Sequence, residues 1–412
     1  MKVWDVVIIG GGIIGLASAF QIARRSRLKV LVLEKGAGLG EGSTGASSAV
    51  LRHRYTRDEM VYLSRDGINA YRNWAEFTGL QQPRARFEAD GVLWLPGAET
   101  QWAQREHNRL TSLGIATQTL SDADLRRRFP ALSGCTIAPD LVSGVAHDCR
   151  GGGQHLYEID GGHTDPVAAA EDLLEASRRL GVEIRLGTRV SEICLAGGVI
   201  RGVRTADGSN IDAPVVINAN GPWVDQTLAA FEFSWPWKLV PVRAQVLYLD
   251  KPAEVPGRIP VCVDMSGGIY FRQQNRGAQL VVGSVREEDE REVVENPDAL
   301  ERLPDESFTQ ATLHALHHRI PELPYRGRVR GYCGMYTVNL EDVHPIVGRT
   351  PVDGLLVANG FSGHGFKIAP AVGSLLAQMV TGERCEFDTN VAPEFLAPDR
   401  APLLVDEKSV LA

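Results

Sequence analysis

Apolar and polar positions come in blocks at the start of the chain. Residues 6–9 form an uninterrupted apolar run, a glycine-rich stretch covers residues 10–15, and a second apolar run covers residues 28–33. Apolar runs without polar alternation are typical of strands buried on both faces of a parallel sheet. The segment between the runs has a helix-like pattern, so we predict a strand–helix–strand unit that begins with a glycine turn.

Later segments repeat these patterns. Further strands are predicted at 182–186, at 215–223, where a buried strand ends in a turn, and at 355–359, and helices at 58–78, 167–180, 298–320 and 370–381. The helix at 167–180 has Asp165 or Thr164 as a cap and Pro166 in its first turn. Short apolar runs separated by turns favour antiparallel strands in series, and they occur at 245–249, 260–264, 268–272 and 278–285.

The composition is that of an ordinary globular protein, with 44% hydrophobic and 23% charged residues among 412. This length allows two or three domains. Lys and Arg number 43 against 51 Asp and Glu, which gives a formal net charge of -8. Because no long run of one sign accompanies this acidic balance, neither nucleic acid nor an anionic membrane is expected as a partner.

Targeting signals and metal motifs are not found in the sequence. No apolar run reaches the roughly 18 residues of a transmembrane helix, and the amino end enters the first strand without a signal-peptide pattern. The six cysteines are scattered without a C-x-x-C pair, so we expect neither a zinc site nor disulfides. His317 and His318 have no partner at ligand spacing. These features predict a cytoplasmic protein with reduced thiols and no metal.

The first glycine turn carries the pattern of a dinucleotide site. Gly10, Gly12 and Gly15 follow G-x-G-x-x-G, in which glycine permits a sharp turn, close approach to a pyrophosphate and close packing of helix on strand. The helix N-terminus then stabilises phosphate charge. Glu34 lies nineteen residues after Gly15, where a carboxylate accepts hydrogen bonds from a ribose and repels a 2′-phosphate. The predicted ligand is FAD or NAD.

A tract of small residues at 36–48, which ends in Ser-Thr-Gly-Ala-Ser-Ser at 43–48, follows this unit and leads into basic and aromatic residues at 51–55. Gly/Ser composition also occurs in flexible linkers. The position of the tract favours a different interpretation, in which the chain passes close to the ligand and its hydroxyls bind it. A second glycine-rich turn at 360–367 follows the strand at 355–359 and brings another helix N-terminus to the site.

These motifs resemble those of the FAD-dependent amine oxidoreductases of the D-amino acid oxidase family, and most of all its sarcosine oxidase branch. The resemblance covers nearly the whole chain and implies FAD rather than NAD, held by both chain ends. The motifs that carry it are Gly10 to Gly15 with Glu34, residues 43–48 continuing to Arg52-His53, and residues 335–337 (Met-Tyr-Thr) with 360–367 (Gly-Phe-Ser-Gly-His-Gly-Phe-Lys).

The implied fold class is α/β, with a Rossmann-type FAD-binding domain and a substrate domain that contains a mixed or antiparallel β-sheet and helices. We assign residues 1–80, 145–230 and 328–395 to the FAD-binding domain, which is therefore discontinuous. Residues 81–144 and 231–327 form the substrate domain in this assignment.

The resemblance also implies roles for individual residues. Arg52 and Lys367 match the basic pair that binds the substrate carboxylate, where a guanidinium offers a planar fork and an ammonium adds charge. Tyr270 resembles an active-site tyrosine, with a core tyrosine as the alternative. Two alternatives stay open. Arg52 could form a structural salt bridge, and Lys367 could face solvent or contact the flavin. The expected cofactor-binding residues are Gly10, Gly12, Ile13, Ile14, Gly15, Glu34, Lys35, Ser43, Thr44, Ser47, Ser48, Val190, Asn220, Gly221, Gly334, Gly360, Gly363, His364, Gly365 and Lys367.

Two positions depart from the family pattern. Sarcosine oxidases bond the flavin to a cysteine directly before Met-Tyr-Thr, whereas Gly334 has that place here and Cys333 lies one residue earlier. One step along a strand turns a side chain to the opposite face, so we expect non-covalent FAD. The lysine that those enzymes use for oxygen activation corresponds to Val281, which cannot stabilise charge on reduced oxygen. Both O2 and another electron acceptor therefore stay open, and the second would make the enzyme a dehydrogenase.

The implied function is oxidation of the C–N bond of a secondary or primary amino acid, of the sarcosine, N-methyl amino acid, proline, glycine or opine type, to an imine that hydrolyses. The partners expected are a small amine that bears a carboxylate and the electron acceptor. Two alternatives stay open, namely oxidation of a 2-hydroxy acid on the same fold and an FAD-holding subunit of a larger complex. Both homo- and hetero-oligomers are compatible with the sequence.

Overall fold

The computed structural model describes residues 3–99, 101–228, 231, 237–324, 327–405 and 408–411. In chain order its strands and helices are β1 (Val6–Ile9), α1 (Ile13–Arg25), β2 (Val30–Leu33), β3 (Val50–Leu51), α2 (Asp58–Arg72), α3 (Trp74–Thr78), β4 (Val92–Leu95), α4 (Trp102–Ser112), β5 (Thr117–Ser121), α5 (Asp122–Arg128), β6 (Gln154–Glu158), β7 (Gly162–His163), α6 (Pro166–Arg179), β8 (Glu183–Arg185), β9 (Val190–Ala196), β10 (Val199–Thr205), β11 (Asn210–Asp212), β12 (Val215–Asn218), α7 (Val224–Leu228), β13 (Leu239–Asp250), β14 (Val261–Asp264), β15 (Ile269–Gln274), β16 (Gln279–Ser284), α8 (Glu306–Arg319), β17 (Val329–Asn339), β18 (Ile346–Arg349), β19 (Leu355–Asn359) and α9 (Gly365–Thr381).

The first sheet has six strands in the order β18-β19-β12-β1-β2-β8. Its strands run parallel except for β18, which is antiparallel to β19. Every residue of β1 and β2 is buried, because α1 and α9 pack on one face of the sheet and a three-stranded sheet of β9, β10 and β11 packs on the other. The predicted strand–helix–strand unit and the strands near residues 183, 215 and 355 are confirmed.

The second sheet has eight strands in the order β17-β13-β16-β15-β14-β4-β6-β5. The strands β13 to β16 pair in antiparallel fashion, as predicted for strands in series, whereas β4 joins β14 in parallel. Two of its members, β6 and β17, come from segments that the sequence assigned to the FAD-binding domain (145–230 and 328–395). A local apolar pattern predicts a strand but does not specify the strand with which it pairs.

Buried apolar residues form two large clusters around the second sheet. One cluster extends from β1 and α1 of the first sheet to Trp94 and Val263 in the second, and the other packs Phe271 and Leu280 of the second sheet against Leu316 of α8. The two sheets therefore share one core while the second sheet has its own outer layer. Among the described helices, none combines the length and apolarity needed to cross a bilayer.

Two predicted helices are shorter in the structure. The helix predicted at 58–78 breaks at Asn73, whose backbone angles are φ -109 and ψ 38 and whose side-chain amide donates to Asn69 O at 2.9 Å. Asparagine competes with helical hydrogen bonding in this way. The helix predicted at 298–320 begins only at Glu306, after Pro304, because the residue before a proline disfavours the helical conformation.

The final helix, α9, begins at Gly365, five residues before the predicted start at Pro370. A proline inside a helix has no N–H to donate to the carbonyl four residues earlier, which here belongs to Phe366. Tyr71 Oη donates to Phe366 O at 2.8 Å instead. The helices α2 and α9 lie very close at Gly67, where a Cβ atom would stand 2.1 Å from Lys367 O.

Candidate active site

A cleft of about 420 Å³ is lined by both sheets. Ile9, Leu33 and Ala358, at or next to the carboxyl ends of parallel strands, line it from the first sheet, and Tyr270 and Gly334 line it from the second. Ligands of α/β proteins bind at the carboxyl ends of parallel strands. The position of the cleft is therefore that of a ligand site.

The first glycine turn forms one wall of the cleft and has no room for side chains. Gly10 has φ +106, and a Cβ atom there would lie 2.4 Å from Ala219 O. A Cβ at Gly15 would lie 2.0 Å from Gly10 O, and one at Gly12 would lie 3.1 Å from Thr44 Oγ1. Gly10 and Gly12 line the cleft, whereas Gly15 lies behind the turn and outside the lining. The glycines thus keep the backbone accessible to a ligand.

The helix α1 begins at this turn. Its N-cap residue is Gly12, which offers no side-chain cap, and Ile13 N donates to Thr44 Oγ1 at 3.0 Å. Ile13 and Ile14 line the cleft. Backbone N–H groups in the first turn of a helix, with the positive end of its dipole, suit an anion such as a pyrophosphate.

Glu34, at the end of β2, faces the same turn. Its two carboxylate oxygens accept from Gly11 N and from Gly36 N, each at 2.7 Å. Each carboxylate oxygen has a further lone pair, and Glu34 lines the cleft. A ribose hydroxyl can therefore donate to a carboxylate that the backbone already holds in place.

A charged corner closes this end of the cleft. Lys35 Nζ lies 3.3 Å from the centroid of the Trp223 ring and 2.5 Å from Asp298 Oδ1. Arg189 Nη2 donates to Asp298 Oδ2 at 2.8 Å. Partial burial would raise the pKa of Asp298, but Lys35 and Arg189 lower it to about 2. Sequence reasoning found only Lys35, because the corner joins distant segments and carries no local motif.

The small-residue tract lines the cleft through Ser43, Thr44, Ser47 and Ser48. Its approach to the second sheet depends on Gly334, where a Cβ atom would lie 2.3 Å from Ala46 Cβ. The tract therefore lies along the cleft, and its contact with a ligand stays a prediction.

Val190, Asn220 and Gly221 line the cleft as well. Asn220 Oδ1 and Thr337 Oγ1 are buried and have no hydrogen-bond partner among the described residues. Buried polar atoms are normally satisfied, so these two oxygens, both on cleft-lining residues, point to a ligand that supplies their partners.

Of the five predicted site residues in the second glycine turn, Gly363, Gly365 and Lys367 line the cleft, while Gly360 and His364 do not. Gly360 has φ +68 and packs against Leu239. His364 is buried, its Nε2 lies 3.1 Å from Val410 O, and burial together with the Lys367 and Arg52 charges lowers its pKa well below the ordinary range. The two residues outside the lining shape the turn that presents the other three.

Arg52 and Lys367 meet at one end of the cleft around the ring of Tyr55. Arg52 Cζ lies 4.2 Å and Lys367 Nζ 5.7 Å from the ring centroid. Arg52 donates to the backbone carbonyls of Arg54 and Val410, and Lys367 Nζ makes no hydrogen bond within the described ranges. Only 3% of Arg52 and 5% of Lys367 is exposed. Burial, followed by the charge of Arg52, lowers the pKa of Lys367 well below the ordinary value.

Glu158 is fully buried, and the charge of its carboxylate partly opposes the lowering of the pKa of Lys367. It accepts from His53 N at 2.5 Å, from Arg54 N at 3.2 Å and from Trp94 Nε1 at 2.7 Å, and it lies 3.0 Å from His53 Nδ1. Burial alone would raise the pKa of Glu158, but these contacts lower it. Because these donors occupy the carboxylate, Arg52 and Lys367 keep an excess of positive charge.

The carboxy-terminal segment, residues 408–411, covers this end of the cleft. Arg54 Nη1 donates to Leu411 O at 2.7 Å, and Val410 N donates to Glu290 Oε2 at 3.1 Å. Val410, Leu411 and Glu290 all line the cleft. Sequence reasoning missed this segment, since nothing in its residues indicates where it packs.

Two tyrosines of the second sheet also line the cleft. Tyr270 Oη hydrogen-bonds Ser48 Oγ, and Gly283 leaves space for its ring, since a Cβ there would lie 2.4 Å from Tyr270 Cζ. Tyr336 lines the cleft too, although it was not among the predicted site residues. Burial raises the pKa of both hydroxyls, so both are neutral near pH 7 and can act as hydrogen-bond donors.

Comparison with known proteins agrees with this geometry. The family model described as FAD dependent oxidoreductase (DAO) matches residues 5–379. The chain belongs to the DAO family of FAD-dependent oxidoreductases. Membership confirms the resemblance inferred from the motifs and supports FAD as the cofactor.

Relatives of known structure or function cover almost the whole chain. Peroxisomal sarcosine oxidase of Homo sapiens is 29% identical over 390 residues, which cover 91% of this chain and 92% of that protein. Sarcosine oxidase subunit beta of Rhodobacter capsulatus is 24% identical over 394 residues, which cover 92% of this chain and 85% of that protein. Among solved structures, L-proline dehydrogenase from P. horikoshii has a TM-score of 0.79 at 22% identity and covers 96% of this chain and 97% of that chain.

The residues present fit FAD. Gly10 to Ile14 with Glu34 suit the pyrophosphate and ribose, and residues 43–48 suit the middle of an extended dinucleotide, because small side chains leave the backbone open. The unpartnered oxygens of Asn220 and Thr337 lie among the same lining. Arg52 and Lys367 line the same cleft.

Proposed function

We propose that this FAD-dependent oxidoreductase oxidises the C–N bond of a primary or secondary amino acid to an imine, which water then hydrolyses. The observation that carries the proposal is the pair of buried cations, Arg52 and Lys367, at one end of the cleft. Buried charges without a counter-ion are strongly unfavourable. A substrate carboxylate supplies that counter-ion.

The recognition step follows from the two side chains. The planar guanidinium of Arg52 can present donors in a fork to a carboxylate, and the Lys367 ammonium adds charge without fixing an angle. The Tyr55 ring lies against both groups and holds them on one side of the cleft. A bound carboxylate raises the pKa of Lys367 again, because an opposite charge favours the ammonium form.

The cofactor-binding residues position FAD, which when bound supplies the two-electron oxidation. The chain contributes orientation and electrostatics. Tyr270 and Tyr336 keep their protons near pH 7, since burial raises the pKa of each, so neither is a base. A substrate that arrives as the neutral amine needs no side-chain base, and we assign none.

Non-covalent binding of FAD is part of the proposal. Cys333 is buried and outside the cleft lining, and its neighbours on the other side of β17 include Arg243. Gly334, which does line the cleft, has no side chain to bond. We expect acid precipitation to release all flavin into the supernatant, and flavin retained in the washed pellet would contradict this part of the proposal.

A substrate screen without oxygen tests the function. Sarcosine, L-proline, glycine and an opine are each mixed with the FAD-loaded enzyme, beside lactate and glycolate as 2-hydroxy acids of similar size. We expect loss of the visible flavin absorbance with at least one amine and with neither hydroxy acid. Reaction with hydroxy acids alone would favour C–O oxidation, and no reaction with any compound would favour an FAD-holding subunit.

The same enzyme tests the electron acceptor. Val281 is buried in β16 and does not line the cleft, so this chain has no cation at the position matched to the oxygen-activating lysine. We expect turnover with an artificial dye to exceed turnover with O2. A higher rate of O2 consumption than of dye reduction would contradict a dehydrogenase.

A further inference from the structure

Four side chains with metal-binding atoms meet outside the FAD cleft. Cys135, His147 and Cys149 belong to the segment between α5 and β6, and His318 belongs to the last turn of α8. One ligand atom from each lies within 4.8 Å of the other three. None of the four lines the cleft. We call this group the Cys2His2 cluster.

This cluster corrects an expectation from the sequence. The spacing of the cysteines indicated no zinc motif, and no ligand partner was expected for His318. The ligands come from two segments about 170 residues apart, so the short spacings that identify zinc sites in a sequence do not occur. Folding brings them together because α8 packs against the segment between α5 and β6.

The geometry has the size of one tetrahedral metal site. Cys135 Sγ lies 3.3 Å from His147 Nε2. Two ligands bound to one Zn2+ at the usual Zn–S and Zn–N lengths would have S and N about 3.6 Å apart. The rings of His147 and His318 have centroids 5.1 Å apart and an interplanar angle of 61°, so they stand edge to face rather than stacked.

His318 supplies an independent sign of a missing ligand. Both of its ring nitrogens are buried, and neither has a hydrogen-bond partner among the residues that the structure describes. An imidazole normally satisfies at least one nitrogen when buried. A metal ion between the two thiols and two imidazoles would satisfy it.

We propose that the Cys2His2 cluster is a structural Zn2+ site. Two thiolates and two neutral imidazoles are a ligand set of structural zinc centres, and two thiolates balance the charge of the ion. Four protein ligands leave no open position for a substrate, so the site has no catalytic role. Its effect is to tie the segment between α5 and β6 to α8.

The backbone around the cluster is already held in position. Arg319 Nη1 donates to Cys135 O at 2.7 Å, and Ser133 N donates to Arg319 O at 2.8 Å. Thr136 N donates to Arg150 O at 2.9 Å, which joins the two arms of the segment near Cys135 and Cys149. These hydrogen bonds place the ligands without the metal, so the ion binds to a site that is largely formed.

A disulfide between Cys135 and Cys149 is the competing explanation, since both are free thiols that lie close together. Zinc and a disulfide predict different products. Bound zinc keeps both thiols reduced but protected until a chelator is added, whereas a disulfide gives no thiol until a reductant is added.

The test uses untagged FAD-loaded enzyme, dialysed in metal-free buffer after growth with zinc. We expect about one zinc per chain by mass spectrometry in the wild type and in the control variant Cys194→Ser, and less than a tenth of that in Cys149→Ser. FAD content should be equal in all three, which shows that loss of zinc is not loss of folding. Absence of zinc from the zinc-grown wild type would overturn the proposal.

Two measurements on the wild type keep the test independent of any variant. Replacement by Co2+ should give thiolate-to-metal charge-transfer absorption, and a chelator should expose two further thiols and lower Tm. An intact-mass difference that shows a Cys135–Cys149 disulfide, or thiols that react fully before chelation, would overturn the site. These readouts do not depend on the substrate, so they stand or fall separately from the amine oxidation.

Discussion

Lys367 serves substrate binding but reduces the stability of the fold. Its ammonium is needed for an anionic substrate, yet it is buried beside Arg52 and lies without an ion pair in the described part of the chain. A buried and unpaired charge destabilises the folded state. The residue therefore favours binding at the expense of stability, a conflict that is typical of functional sites.

We expect Lys367→Met to lower kcat/KM for the carboxylate substrate by about 10- to 150-fold, since a hydrogen bond to a charged group contributes roughly 1.5 to 3 kcal/mol. The same change should raise Tm, because it removes a buried charge. Lys238→Met, on an exposed lysine, is the control and should change neither value. Unchanged kcat/KM in Lys367→Met would contradict a role in carboxylate binding.

Substrate affinity and folding stability should depend on pH in opposite directions. The wild type loses substrate affinity as pH rises through the lowered pKa of Lys367, because the ammonium deprotonates, and Lys367→Met should lack this loss. The free energy of unfolding changes in the opposite direction. The unfolded chain binds the Lys367 proton more tightly than the folded chain, so the stability of the wild type relative to the variant rises with pH below the ordinary value of 10.5. Denaturant titrations of both proteins at several pH values measure this difference in stability.

At the residue scale, local motifs predicted much of the dinucleotide end. Gly10, Gly12 and Glu34 could be recognised because their roles depend on spacing within one strand–helix–strand unit. Tyr55 and Glu158 could not be recognised, since their importance lies in contacts with residues far along the chain. No periodic or spacing signal marks a side chain whose partner comes from another sheet.

Among the secondary-structure elements, α9 shows how tertiary contacts override local rules. Pro370 predicted a helix start, but the helix begins one turn earlier and Tyr71 of α2 satisfies Phe366 O. This early start places Lys367 on the first turn, where it faces the cleft. The helix boundary therefore decides whether the cation belongs to the site.

We expect Tyr71→Phe to lower the free energy of unfolding by about 1 to 3 kcal/mol, because it leaves the buried carbonyl of Phe366 unsatisfied. In the double variant Tyr71→Phe, Pro370→Ala, the alanine N–H can donate to the same carbonyl and should restore part of the loss. Tyr62→Phe in the same helix is the control, since no hydrogen bond of that hydroxyl is found in the described ranges. Equal effects of Tyr71→Phe with and without Pro370→Ala would exclude this explanation.

For the whole molecule, Glu158 links the second sheet to the segment that follows β3. It belongs to β6 of the second sheet and holds the backbone of His53 and Arg54, which follow β3 and lead to the cations of the cleft. We expect Glu158→Gln to destabilise the protein by about 3 to 5 kcal/mol, as is usual when one member of a buried charged network is removed. Glu192→Gln, in an exposed pair with Arg204, should have little effect.

The effect of Glu158 should depend on pH. Its pKa is lower in the folded state, so its contribution is complete above the ordinary value of 4.5 and is lost as pH falls through the lower, folded value. The difference between wild type and Glu158→Gln should therefore shrink in acid. Urea titrations at neutral and acidic pH measure it, and a difference that is constant over this range would contradict the assignment.

The arrangement of the whole molecule was the least predictable level. The strands themselves were recognisable from apolar runs, but the pairing of β6 and β17 in the second sheet was not, because pairing is decided by contacts between distant segments. The same reason hid the Cys2His2 cluster, the corner around Asp298 and the carboxy-terminal segment. Features encoded within one short segment, such as strands and glycine motifs, could be predicted. Features formed by contacts between distant segments could be seen only in the structure.

Residues 408–411 have a practical consequence for the design of shortened variants. Since Arg52 and Arg54 donate to carbonyls of Val410 and Leu411, deletion of this segment would leave both guanidinium groups without these acceptors and would remove Val410 and Leu411 from the cleft lining. Kinetic work on such a variant would therefore measure an altered cleft.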